Sequence, residues 1–84
     1  MMKNKVLVEL IVPVLEENYD VYLPINKKIG NIIELLNRAL FDMTNGIYNF
    51  NNNHLYNTDG EEYKSNALLR ETDIRNGSSV VLLW

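Results

Sequence analysis

The chain is predicted to be an α+β domain in which a mixed sheet of four to five strands packs on one α-helix. Three observations carry this prediction. Residues 5–12 and 79–84 are almost wholly apolar, β-branched runs near opposite ends of the chain. Residues 25–43 carry apolar side chains at helical spacing, and the remainder consists of short strand signals bounded by Asn, Asp and Gly.

The first run, "KVLVELIV" at 5–12, contains one charge after Lys5, Glu9, and that charge sets the pleat. With Glu9 in solvent, Leu7 and Ile11 share its face, while Val6, Val8, Leu10 and Val12 point to the core. Pro13 ends ladder donation, and "EEN" at 16–18 reads as a polar turn. A second strand follows in "YDVYLP", where Tyr19, Val21 and Leu23 alternate with Asp20, Tyr22 and Pro24. Together they form an N-terminal hairpin.

The period then changes. In "INKKIGNIIELLNRALFDM", Ile29, Ile32, Ile33, Leu36 and Leu40 line one stripe of an amphipathic helix. Asn26 is the expected N-cap, and Gly30 in the first turn weakens the start by about 1 kcal/mol relative to Ala. Lys27 and Lys28 stand at the unfavourable end of the helix dipole and read as two solvated lysines.

After Met43 comes the asparagine-rich connection "TNGIYNFNNN", too poor in apolar side chains for another helix. A third strand is expected near His54, with Leu55 inward and Tyr56 outward. "NTDGEE" at 57–62 is a turn centred on Asp59-Gly60, and a short fourth strand is expected at Glu62–Lys64. Leu68, Leu69 and Ile74 read as core plugs in the connection that follows, and Asn76-Gly77 turns the chain into the closing strand "SVVLLW". There Val80 and Leu82 face the core, which leaves Val81 and Leu83 outward, with Trp84 at the strand's end. So apolar a strand belongs at the covered centre of a sheet, beside the first strand.

Composition narrows the function classes. The 84 residues form one domain, 1–84, near the lower limit for a core without staples, and 46% of them are hydrophobic. There is no cysteine, which removes disulfides, thiolate nucleophiles and cysteine-ligated zinc. Eight Lys and Arg against eleven Asp and Glu give a net charge of −3, and the basic residues are scattered, so no nucleic acid is expected as a partner. Glu9 and Pro13 break the only leader-like stretch, and no apolar run is long enough to span a bilayer, so no membrane insertion is expected and the location is expected to be cytoplasmic.

No catalytic, metal or cofactor site is expected either. His54 stands beside Asn51, Asn52 and Asn53, with no acidic residue at ligand spacing, and reads as a solvated or strand-end histidine. Glu16-Glu17 and Glu61-Glu62 are adjacent carboxylates in turns, whose side chains diverge, unlike a working acid/base pair. Asp59-Gly60 is too short for a calcium loop, and there is no glycine-rich phosphate cradle.

The 5–24 hairpin, the helix with Ile29 at its start, "LYNTDGEE" and above all "LLRETDIRNGSSVVLL" resemble the ubiquitin-like β-grasp family. The resemblance covers nearly the whole chain and is one of spacing and hydrophobicity. Conjugated and sulfur-carrier members extend beyond the closing strand in a flexible tail ending Gly-Gly, whereas here the strand ends at Leu83-Trp84; the expectation is a module that is not conjugated, and a Gly-Gly beyond Trp84 would restore carrier chemistry. In size, acidic balance, hairpin and closing strand the chain is most similar to the YukD-like proteins associated with type VII (WXG100) secretion. The family binds partners through an apolar patch on the sheet, and the matching positions are Tyr56, Val81 and Leu83, extended by Leu7, Ile11 and Tyr22. The resemblance thus implies a non-enzymatic protein-interaction module that docks on a protein partner of a bacterial secretion apparatus. A homodimer or assembly subunit formed through the same patch is the alternative, and Trp84 fits either a structural plug or a binding anchor.

Overall fold

Alternation decides the first strand. In β1 (Lys5–Val12), Val8, Leu10 and Val12 are buried while Leu7, Glu9 and Ile11 face outward. The structure is a computed structural model and describes residues 3–83. β2 (Glu17–Pro24) pairs antiparallel with β1 in unbroken register from Val12 opposite Glu17 to Lys5 opposite Pro24. Glu17 and Asn18 therefore belong to the strand and not to the predicted turn. A single 3-10 turn at Pro13–Leu15 reverses the chain more tightly, closed by Glu16 N–H donating to the Pro13 carbonyl at 2.9 Å. Glu16 takes up the reversal at a left-handed φ of 54°.

The helix α1 (Ile29–Met43) buries Ile29, Ile32, Leu36 and Leu40 and keeps Ile33 half-buried, as the spacing predicts. Its start differs from the sequence expectation. The N-cap is Lys28, with no side-chain cap, and Asn26 instead accepts a hydrogen bond from Arg70 Nη1 at 3.1 Å. The first helical N–H groups find backbone partners across the chain: Ile29 donates to the Ala67 carbonyl and Gly30 to that of Ser65, both at 2.9 Å. This accounts for Gly30, because a Cβ there would lie 3.3 Å from the Ser65 carbonyl oxygen. A glycine that looks like a weak helix starter is what lets the loop approach. At the other end Gly46 N–H reaches the Phe41 carbonyl at 2.8 Å with Asn45 at a φ of 53°, a left-handed stop.

β3 (His54–Tyr56) and β4 (Ser79–Leu83) complete a four-stranded sheet in the order β2-β1-β4-β3. β4 runs parallel to β1, with Leu10 opposite Val80, and antiparallel to β3, with Leu55 opposite Leu82. The two apolar runs are neighbours at the sheet centre, as expected. The predicted strand at Glu62–Lys64 is reduced to one bridge between Tyr56 and Glu62, because β3 is only three residues long and offers little edge to pair with. Asn57 organises the turn between them, its Oδ1 accepting from the N–H groups of Asp59 and Glu61 at 2.9 Å. Leu69 and Ile74 plug the core, whereas Leu68 is only half-buried. The exposed edge of β2 carries Glu17, Asp20 and Pro24, residues that discourage strand addition.

The asparagine-rich connection contains a feature that periodicity did not disclose. Tyr48 and Asn53 are buried, at 1% and 6% exposure, and close a polar network with the helix. Asn37 and Asn53 exchange amide hydrogen bonds at 2.9 and 2.6 Å, and Asn53 Nδ2 also donates to Tyr48 Oη at 2.6 Å. Phe50 adds an edge-to-face contact to Tyr48, ring centroids 4.8 Å apart. Each buried polar atom of the network is thereby satisfied, which is the condition for placing it next to the core.

Two predictions follow from this packing. Asn53→Ala leaves Asn37 Nδ2 without its partner and Tyr48 Oη with only its long 3.4 Å hydrogen bond to Asn37 Oδ1, and should lower unfolding free energy by about 1–3 kcal/mol in urea titrations; Tyr48→Phe, which leaves the Asn37–Asn53 exchange in place, should cost about 1 kcal/mol. Burial raises the phenol of Tyr48 above its ordinary value despite the Asn53 hydrogen bond, and raises that of Tyr63 further with help from Asp73 and Glu61. Above a pH of about 10 the unfolded tyrosines lose protons that the folded ones keep, so stability is fully present below that pH and declines as pH rises beyond it. Urea titrations across that range should show a shallower decline in Tyr63→Phe; an unchanged slope would contradict the assignment.

Candidate functional site

The solvent face of the sheet is set by the strand register. Reading across it, one row runs Asn18, Ile11, Val81, Tyr56, each directly opposite its neighbour. Neighbouring strands lie about 4.8 Å apart, so Ile11, Val81 and Tyr56 form a continuous apolar strip about 10 Å across. Leu83 stands in the next row of β4, opposite His54. Ile11, Val81, Tyr56 and Leu83 are all half-buried, which reflects the cover they give one another. The ring of Tyr56 meets that of His54 edge-on, centroids 6.4 Å apart.

Leu7 and Tyr22 also face outward, paired across β1 and β2, with exposures of 37% and 51%. They do not join the strip. Between them and Ile11 lies a polar row of Asp20, Glu9 and Ser79. Glu9 is held there by Ser79, whose Oγ donates at 2.7 Å, and by Asn18 Nδ2 at 3.3 Å. The six predicted residues thus share one face of the sheet but fall into two apolar islands, because the alternation that puts Leu7 and Ile11 outward also puts Glu9 outward between them. The asparagine-rich connection is tied to the helix through Asn37 and Thr44. Trp84, the remaining predicted residue of this strand, lies outside the described residues.

His54 is an exposed strand-end residue, as the sequence predicts, but it has a partner that the sequence did not disclose. Glu62 Oε2 lies 2.7 Å from His54 Nδ1, brought there by the Asn57 turn rather than by local spacing, and both side chains are about half exposed. An exposed pair of this kind is a surface contact and no ligand set. Among the described residues no group of three or more His, Cys, Asp or Glu side chains is arranged to hold a metal ion.

A shallow groove of about 310 Å3 on the other side of the Asn57 turn is lined by Glu61, Glu62, Glu71 and Asp73. Each carboxylate already has a structural task. Glu61 accepts from Asn57 Nδ2, Glu62 meets His54, Glu71 accepts from the Leu68 N–H, and Asp73 accepts from Tyr63 Oη. These contacts account for the carboxylates structurally, and the sheet face is the stronger candidate site. No helix among the described residues is long and apolar enough to cross a membrane.

No protein-family model matches the sequence, and no curated protein does. Solved structures do match. The EccD5 ubiquitin-like domain from Mycobacterium xenopi aligns with a TM-score of 0.78 at 16% identity, over 95% of this chain and 93% of that one. The ubiquitin-like domain of the Mycobacterium tuberculosis type VII secretion system protein EccD1 aligns with a TM-score of 0.75 at 13% identity, over 98% and 100% of the two chains. A chain of the ESX-5 inner membrane complex aligns with a TM-score of 0.70 at 17% identity over 95% of this chain, which spans only 21% of that longer one. At these identities the likeness is one of fold. One helix on a mixed four-stranded sheet, closed by a parallel pairing of the first and last strands, gives this chain the ubiquitin-like β-grasp fold, similar to that of ubiquitin-like domains from type VII secretion proteins.

Proposed function

We propose that the chain is a non-enzymatic ubiquitin-like interaction module, residues 1–84 acting as one domain, that docks on a larger protein through the solvent face of its sheet. The observation that carries this reading is the half-buried apolar strip of Ile11, Val81, Tyr56 and Leu83 on the solvent side of the sheet. Contiguous apolar side chains on a solvent face are a common mark of an interface. Leu7 and Tyr22 add a second contact point on the same face. Affinity would come from covering the strip, and specificity from the polar residues around it.

The pathway we propose is bacterial type VII (WXG100) secretion, with the chain as a YukD-like accessory component acting in the cytoplasm. Support comes from the likeness in fold to the EccD ubiquitin-like domains and from the acidic balance of the sequence.

The test is recovery of partners from the native cell with wild-type protein and with the Val81→Asp, Leu83→Asp double variant, both checked for folding by circular dichroism. A charge placed in the strip should weaken the specific partner by at least about tenfold, or about 1.4 kcal/mol, and the partner identified by mass spectrometry should be a secretion component. Equal recovery by the two proteins would reject the sheet face. Sedimentation at micromolar concentration should give a monomer; a stable dimer that Val81→Asp dissociates would replace the docking reading with self-association.

A further inference from the structure

The polar row that divides the sheet face carries an uncompensated charge. Glu9 and Asp20 are directly opposite each other in the β1–β2 register, both on the solvent face. Like charges at directly opposed positions destabilise a strand pair. The donors that hold Glu9, Ser79 Oγ and Asn18 Nδ2, are neutral. Among the described residues neither carboxylate is ion-paired, and the exposed Asp20 carboxylate accepts no hydrogen bond. Lys5, on the same face of β1, is four residues from Glu9, about 13 Å along the strand.

Apolar islands flank this charge on both sides: Leu7 with Tyr22, and Ile11 with Val81 and Tyr56. Along β1 the order is apolar, acidic, apolar at alternate residues, about 6.7 Å apart. The complement of such a surface is an extended segment with the same period and the opposite charge. Resting on the docking reading above, we propose that the sheet face takes a protein segment of the pattern apolar-x-basic-x-apolar, whose arginine or lysine pairs with Glu9 and Asp20 while its apolar neighbours cover the two islands. An arginine suits the position best, since its planar fork can meet two carboxylates. The cation that the fold itself does not place opposite the two carboxylates is then brought by the partner.

The probe is a peptide of sequence acetyl-Ser-Leu-Ser-Arg-Ser-Leu-Ser-amide, compared with its Arg→Glu counterpart, titrated into isotope-labelled protein and followed by amide chemical shifts. The arginine peptide should shift Leu7, Glu9, Ile11, Asp20 and Val81 and bind at least about tenfold tighter than the glutamate peptide. In Asp20→Lys, where the new lysine faces Glu9 within the protein, the preference should vanish and Tm should rise. No binding by either peptide, equal binding by both, or a preference that survives Asp20→Lys would each overturn the proposal. Recovery of the native partner separates this from the docking reading. A partner lost on Val81→Asp but retained by Asp20→Lys leaves the docking face standing and refutes the basic segment, whereas a partner indifferent to Val81→Asp refutes the face itself.

Discussion

The fold rests on the parallel contact between β1 and β4. Leu10 lies opposite Val80 at the sheet centre, and the core side chains of the two strands, Val8, Leu10, Val12, Val80 and Leu82, are almost completely buried. Helix α1 covers them with Ile29, Ile32, Leu36 and Leu40. A parallel pair has to be joined by a crossover, so everything from β2 to the Asn76-Gly77 turn is the connection that makes the contact possible. Beyond the helix its pieces are short, β3 and the 3-10 turn at Leu69–Glu71 being three residues each. They owe their order to being held between the ends of one sheet.

The register of that contact is pinned at its start. Leu7 N–H donates to Asn76 Oδ1 and the Leu7 carbonyl accepts from Gly77 N–H, both at 2.8 Å, while Glu9 N–H reaches the Ser78 carbonyl at 2.9 Å. Gly77 makes this geometry with a φ of 88°, a conformation that suits glycine. A slip of one residue would turn Val80 and Leu82 to solvent and Val81 to the core. The same bonds that protect the core thus decide that Val81 stands beside Ile11 and Tyr56. Stability and the composition of the outer face have one cause.

The asparagine-rich connection shows how a polar segment can be structural. By composition it is a loop, and it forms no helix or strand from Gly46 to Asn53. Yet Tyr48 and Asn53 are as enclosed as core residues, since Asn37 on the helix matches the donors and acceptors of Asn53 one for one. Hydrophobic periodicity carries no trace of such a match. Asn37 lies at a helix position that reads as solvent-facing, and only a partner sixteen residues later makes it part-buried. For the same reason the Glu62 partner of His54 escaped sequence reasoning, whereas the inward Leu55 and outward Tyr56 beside it did not.

By itself the sequence determined the hairpin, the helix and the closing strand, and which side of each is apolar, because those follow from local backbone periods of 2 and 3.6 residues; the strand expected at Glu62–Lys64 is only a bridge, because its partner β3 is three residues long. It therefore determined the inward side of β1, α1 and β4 and the outward direction of Leu7, Ile11, Tyr22, Tyr56, Val81 and Leu83, but not the burial of Tyr48 and Asn53. Only the tertiary structure decided which of these stand together. Lateral neighbours depend on register, and the register of β1 with β4 is set by a hydrogen bond between Leu7 and Asn76, sixty-nine residues apart. That long-range choice gathers Ile11, Val81 and Tyr56 into one strip, sets Leu7 and Tyr22 apart, and completes the polar row between them by placing Ser79 beside Glu9, which already faces Asp20 within the hairpin.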